Sequence, residues 1–408
     1  MNTRNSIIAL MTLSMVSAGH AENFSELLSG IAAQTNHTPK ALIDVRTRYE
    51  FGEQENLDPA HAATMRARIG LESQNYNGFT GLIEFEATRA IDTTSYRAGG
   101  VHGDPATTVI ADPENTELNR MQLQYVKGDH SFVAGRQRII LDNARFVGNV
   151  GWRQNEQTYD AATYKNKAFD NFTLFYGYIE EVKRIFGDDA TGAAKQFDSD
   201  SHLLNVAYTG IDKMKITGYS YWLDFDNAQP NSTDTIGISL DYKTKIDEYD
   251  VNTYLELAYQ EEGSDAPVEY DAVYAHVSGS VKRAGYTGLL GYELLGSDGG
   301  SDSFKTPLAT GHKFNGWNDQ FLATPAAGLQ DFYVGIGLPL PKAKLPLTLV
   351  YHYFRSDSGS VSYGSEIDAV TSYAINKKTK AIAKASYFEA DDTGLDRFRL
   401  SAEINFKY

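Results

Sequence analysis

Along residues 41–51 the chain alternates between two kinds of side chain. Ile43, Val45, Thr47, Tyr49 and Phe51 fall on one face, and Asp44, Arg46, Arg48 and Glu50 on the other. A period of two marks a strand whose faces meet different environments. Met65, Ala67, Ile69 and Leu71 against Arg66, Arg68 and Glu72 repeat the pattern. So do Phe79, Ile83, Phe85 and Ala87 against Glu84 and Glu86. Continued to the end, the pattern predicts eighteen strands, beginning near residues 41, 62, 79, 117, 131, 159, 172, 201, 214, 233, 249, 270, 284, 330, 345, 364, 379 and 397. Most run about 8–13 residues, close to the 9–11 that cross a bilayer at a tilt.

The connections alternate in length. Short turns stand at NYNG (75–78), GDH (128–130), KAFDN (167–171), TGIDK (209–213), KTKIDE (243–248), KRAG (282–285), PLPKAK (339–344) and NKKT (376–379). Longer loops separate them, the longest being 89–116, 183–200 and 296–329. Outer-membrane barrels alternate in this way, with short periplasmic turns and long extracellular loops. Lipid leaves no backbone amide a solvent partner, so a spanning sheet must close on itself. The chain ends RFRLSAEINFKY, in which Phe398, Leu400, Ala402, Ile404, Phe406 and Tyr408 alternate with polar partners. This is similar to the C-terminal strand signal of bacterial outer-membrane proteins. The predicted fold is all-β: a transmembrane antiparallel β-barrel of about 18 strands, occupying residues 41–408.

The residues before the barrel read differently. Arg4, an apolar run from Ile7 to Val16, and small residues through Ala21 have the layout of a secretory signal peptide at 1–21. In residues 22–40, Phe24, Leu27, Leu28 and Ile31 would share one helical face, with Asn23 or Ser25 as N-cap. That predicts a periplasmic segment with a short helix, either free-standing or plugging the barrel mouth. The expected location is the bacterial outer membrane.

Composition narrows the chemistry. The 408 residues include no cysteine, 26 tyrosines and 20 phenylalanines, and the formal net charge is −16. Absent cysteine removes disulfides, thiolate metal sites and cysteine nucleophiles. The acidic total argues against nucleic acid as a partner, since affinity for it comes from cations on phosphate. Much of the acidity lies in predicted loops at 187–201, 261–271, 296–303 and 389–396. Solvated loops are the plain reading, and divalent cations bridging them to lipopolysaccharide the other. The histidines form no HExxH motif, and there is no GxSxG elbow, so neither an enzyme nor a cofactor is expected.

Against this acidity, GRQRIILDNARFVGNVGWRQ (135–154) carries four arginines. Arg46, Arg48, Arg66, Arg68, Arg120, Arg136 and Arg138 are expected on the lumen face, with Arg145 and Arg153 in a loop that could fold inward. Guanidinium groups grip carboxylates bidentately and stay charged, and rings of them make pores favour anions. Asp44, Glu50, Glu72, Glu84 and Glu86 share that wall, so a ladder of internal ion pairs is the competing expectation. The longest loop holds Phe304, Phe314, Trp317 and Phe321. Either it packs inside the barrel as a constriction, or Trp317 and Phe321 stack on sugar rings with Lys305, His312 and Lys313 near carboxylates.

DVRTRYEF (44–51), MRARIGLESQNYNGFTGLIEFE (65–86), GRQRIILDNARFVGNVGWRQNEQTYDAA (135–162), FKTPLATGHKFNGWNDQFLATPAAGLQDFYV (304–334) and YHYFRSDSGSVSYGSEID (351–368) resemble the alginate-export family of outer-membrane barrels. The resemblance implies an eighteen-stranded barrel with an arginine-lined pore for an anionic polysaccharide. The exporter that names the family has a long periplasmic loop where NKKT is very short, which favours a more open pore. The expected function is passive diffusion of small anionic or sugar-like solutes. A polysaccharide secretion pore is the alternative in the same class, and a non-conducting structural or adhesion barrel in another. Outer-membrane lipid and lipopolysaccharide are the expected surroundings, and nothing in the sequence sets an oligomeric state.

Overall fold

The computed structural model describes residues 39–340 and 345–408. The predicted signal peptide, nearly all of the 22–40 segment and residues 341–344 of the PLPKAK turn lie outside the described residues. Lys40, the last residue of that segment, already opens the first strand.

The wall begins β1 (Lys40–Gln54), β2 (Ala60–Glu72), β3 (Phe79–Ala90), β4 (Asn115–Lys127), β5 (His130–Gln137) and β6 (Thr158–Asn166). It continues β7 (Phe172–Lys183), β8 (Gln196–Ile211), β9 (Met214–Leu223), β10 (Thr233–Ile246), β11 (Tyr249–Glu262), β12 (Asp271–Arg283) and β13 (Tyr286–Leu295). Two short strands, β14 (Ser297–Asp298) and β15 (Asp302–Ser303), form a separate hairpin in the long loop. The wall resumes with β16 (Leu329–Leu340), β17 (Leu345–Arg355), β18 (Ser362–Ala374), β19 (Thr379–Ala390) and β20 (Arg397–Lys407).

Neighbouring strands pair antiparallel in sequence order, and β20 returns to β1 with Lys407 opposite Asp44 and Arg397 opposite Gln54. Eighteen strands thus close into one barrel, as the alternation predicts. Seventeen predicted starts fall within two residues of the observed ones, but β8 starts at Gln196, not 201. Its first turn of sequence, QFDSD, carries polar residues on both faces, so hydrophobic alternation is silent there.

Every second side chain faces outward, and these form an apolar belt with Leu257 62% and Leu290 67% exposed. Tyr249, Tyr286 and Tyr373 stand exposed where strands meet short turns, and Trp222, Tyr259, Tyr353 and Tyr387 toward the long loops. Two aromatic girdles bracketing an apolar band are what a bilayer selects.

The interior is not an empty tube. Residues 138–157 and 296–328 fold into the loop end of the lumen. There Val147, Phe304 and Leu308 pack against Tyr159, Ile179, Leu203, Tyr274, Phe354 and Phe388 from the wall and Phe225 from the β9–β10 loop. The first of these loops leaves the wall early, since β5 has 8 residues where β4 has 13. Its apolar residues Ile139 and Val147 gain a core by turning inward. A third loop, 91–114, closes over β2 through Tyr96, Ala98 and Ile110 packed on Ala60 and Ala62.

Candidate pore and its lining

Four predicted arginines line the β1–β2 wall, and loop 138–157 lies directly on them. Arg46 donates to the carbonyl oxygens of Trp152 at 2.9 Å, Arg153 at 3.1 Å and Gly151 at 3.1 Å. Arg48, fully buried, donates to Glu403 on β20 at 2.7 Å, to Asp112 at 3.3 Å and to the Trp152 carbonyl. Arg66 pairs with Asp44, and Arg68 with Glu86 and, at 3.6 Å, Glu156. Arg120 grips Glu84 through two bonds of 2.8 and 2.9 Å. Charges taken out of water persist when paired, and here carboxylates and loop carbonyls supply most of the acceptors, while Arg66 Nε and Nη1 have none among the described residues.

The loop arginines extend the same network. Arg145 pairs with Glu293 at 2.8 Å and lies 4.7 Å over the Phe314 ring. Arg153 joins Asp319 at 2.7 Å to Glu50 at 3.2 Å, and Arg399 reaches Glu50 from β20 at 2.8 Å. Burial alone would raise the Glu156 carboxyl, but Arg68 and Arg138 outweigh it and hold the group well below the usual carboxylate range. Burial likewise works against the charge on Arg153, yet Glu50 and Asp319 push its value up.

Two predicted positions need correction. Arg138 lies one residue beyond β5, where the chain has turned inward, and pairs with Glu156. Arg136 sits in register with Met121 and Asp160, on the face that carries the exposed Phe132. Residues 132, 134 and 136 share one side of a strand, so Arg136 faces outward, with Asp160 at 2.7 Å.

The 304–321 residues divide by role. Lys305 binds Asp302 at 2.6 Å and the Pro230 carbonyl at 2.9 Å, with its ammonium 4.4 Å over Tyr270. Phe321 packs on Phe354, Tyr363 and Phe388. His312 is buried, donates from Nδ1 to Asp319 at 2.7 Å, and receives Lys384 Nζ at Nε2 at 3.1 Å. Burial pushes its imidazole down to about 4, outweighing the pull of Asp319. Lys313 donates to the Asn143 carbonyl at 2.7 Å, and Trp317 lines an open chamber.

Two chambers open beneath the packed loops, toward the turn end. One, of about 710 Å³, is lined by Lys243, Lys313, Trp317, Tyr254 and Tyr333 among others. The second, of about 500 Å³, is lined by Arg138, Lys165, Lys167, Gln124 and Thr163 among others. Lys215 and Asp142 border both. The carboxylates lining these spaces are all engaged: Asp142 by Lys215 at 2.7 Å, Asp241 by Lys243 at 2.6 Å, Glu293 by Arg145 and Asp331 by His352 at 2.9 Å. Among the described residues, no carboxylate lies within 4.0 Å of Lys165, Lys167 or Lys313. Sequence reading named Lys313 but, centred on arginine, missed Lys165, Lys167 and Lys215. The signal was present, since Lys215 and Thr217 alternate with Ile216 at the start of β9.

No family model matches the chain, and no curated protein matches it. Solved structures do. OccAB2 of Acinetobacter baumannii superposes with a TM-score of 0.68 at 14% identity, covering 90% of this chain and 98% of that one. OpdK of Pseudomonas aeruginosa, crystallised with vanillate, gives 0.70 at 12% identity over 90% and 98%. Acinetobacter baumannii OccAB4 gives 0.71 at 13% identity over 90% and 97%. The chain has the fold of these outer-membrane barrels. The resemblance to the alginate-export family is thereby overturned, because the structures that match along the whole barrel are of the Occ and OpdK kind. That resemblance rested on stretches of wall strand and inward loop, and ladders of internal ion pairs such as those in its strands stiffen barrel walls whatever the cargo.

Proposed function

We propose that this protein is a bacterial outer-membrane channel through which small anionic solutes diffuse passively. The observation that carries this reading is the surplus of cations on the open chambers. Among the described residues, Lys165, Lys167 and Lys313 have no carboxylate partner, while every lining carboxylate is already paired. In a low-dielectric wall such a surplus focuses a positive potential along the passage and favours anions. That OpdK was crystallised with vanillate, a small carboxylate, supports the same solute class. Tyr254, Tyr333 and Trp317 on one chamber add hydroxyls and ring faces suited to sugar-like anions.

Of the predicted arginines, Arg138 borders open volume. We infer that Arg46, Arg48, Arg66, Arg68, Arg145 and Arg153 mainly hold the inward loops, and act on solutes through the field. Residues 1–21 act as a signal peptide in this reading, with 22–39 periplasmic. The apolar belt meets outer-membrane lipid and the acidic loops lie among lipopolysaccharide. Reversal potentials of the purified protein in planar bilayers under a KCl gradient test the proposal: anion selectivity is expected, and cation selectivity contradicts it. The packed loop end of the lumen favours a second reading, a non-conducting structural barrel. Absence of any conductance would decide for that one.

A further inference from the structure

The tip formed by Asp142 and Asn143 in loop 138–157 is fastened to the wall strands β8, β9 and β11. Asp142 Oδ1 accepts from Lys215 Nζ at 2.7 Å, and its Oδ2 accepts from Asn205 Nδ2 at 2.7 Å. The neighbouring Asn143 is held through its carbonyl by Lys313 and through its amide by the Tyr254 hydroxyl at 3.2 Å. Asp142 and Ala144 both sit in the left-handed region, with φ of 49° and 67°. Neither residue gains there the freedom a glycine has, so the tip is held in a strained form by its fastenings. Among the described residues, the Asp142–Lys215 pair is the whole of what the two chambers share.

We propose that Lys215 is a solute-carboxylate site which the chain's own Asp142 occupies at rest. This rests on the anion-channel reading above. A solute carboxylate arriving beside Lys215 takes the place of Asp142, so the ammonium keeps an anionic partner throughout. Asp142 retains the Asn205 amide as it withdraws, and the relaxed tip joins the two chambers into one passage. A neutral solute of the same size offers no replacement charge and leaves the pair closed. Lys215 suits the exchange because its side chain is 41% exposed while Asp142 is 15% exposed, so the solute approaches from the lysine side.

Single-channel recording of the purified full chain in KCl tests this, with gluconate as the carboxylate probe and glucose as its neutral counterpart. Wild type is expected to flicker between closed and open levels, gluconate raising the open fraction and glucose leaving it unchanged. Asp142→Asn is expected to be open without gluconate, with an open-to-closed ratio about fivefold above wild type, the size of a partly exposed ion pair. Lys215→Gln should be equally open, and insensitive to gluconate as well. Each variant removes the pair from the opposite side, so if one fails to show the heat-modifiable mobility of a folded barrel the other carries the test. A conducting wild type whose open fraction neither variant changes, or that responds equally to glucose, overturns the exchange while leaving the channel. A wild type that never conducts overturns both.

Discussion

Trp152 and His312 stack face to face, with ring centroids 4.3 Å apart and planes 3° from parallel. One belongs to loop 138–157 and the other to loop 296–328, so this contact joins the two segments that fill the barrel. The Arg48 guanidinium lies 3.9 Å from the Trp152 ring and Lys384 Nζ also 3.9 Å, tying the stack to β1 and β19. The docked imidazole binds its proton only near pH 4, whereas a free one does so near 6.5. Between those values the undocked loop binds more protons, so docking is at full strength above pH 6.5 and weakens as pH falls toward 4. The lost stabilisation is on the order of a few kcal/mol. Single-channel conductance should therefore rise as pH falls through this window, and His312→Gln should flatten the profile. A wild-type profile flat from pH 6.5 to 4 would contradict the docking role.

Arg48→Ala should be severely destabilising. It leaves Glu403 and Asp112 buried with a partner removed, a loss of about 3–5 kcal/mol for a broken buried pair. Urea titration followed by the loss of heat-modifiable electrophoretic mobility reads it. A midpoint equal to wild type would show that Arg46 and Arg153 suffice to keep Glu403 and Asp112 paired.

Arg136→Ala should leave ion selectivity unchanged, because its pair with Asp160 lies on the outer face, away from the lumen. The triple change Lys165→Gln, Lys167→Gln, Lys313→Gln should instead move the reversal potential toward cation preference. Should Arg136→Ala shift selectivity as far as the triple variant, the outward assignment falls.

Phe304→Ala should both destabilise the barrel and loosen its plug. Phe304 is fully buried between Phe146 and Tyr274, and deleting such a ring costs about 3–5 kcal/mol with a cavity left behind. Increased conductance with a lowered unfolding midpoint is the expected pair of outcomes, measured in bilayers and by urea titration. A lower midpoint with unaltered conductance would place the passage away from this core.

The wall was legible because its information is local. Alternation over ten residues needs only the pleat of a strand and two solvents, lipid and lumen. That is enough to fix eighteen strands, the lengths of their connections, and the inward side of Arg46, Arg48, Arg66 and Arg68. Where the local signal is weak the reading slips. Charge alone points Arg136 into the lumen, but Phe132, four residues earlier on the same strand, settles the face outward. QFDSD was lost for want of apolar residues.

The lumen was not legible, because its partners are far apart in sequence. Arg48 finds Glu403 after 355 residues and Arg153 finds Asp319 after 166. No periodicity encodes which loop turns inward, or that its backbone carbonyls will cap a row of guanidiniums. The sequence by itself determined a closed membrane barrel with charge on its inner wall. The tertiary structure decided which of those charges are spent on one another and which face open volume. Burial makes an unpaired arginine too costly to leave beside a carboxylate it can reach, so the densest arginines hold the loops. The lysines of the chambers are left facing open volume.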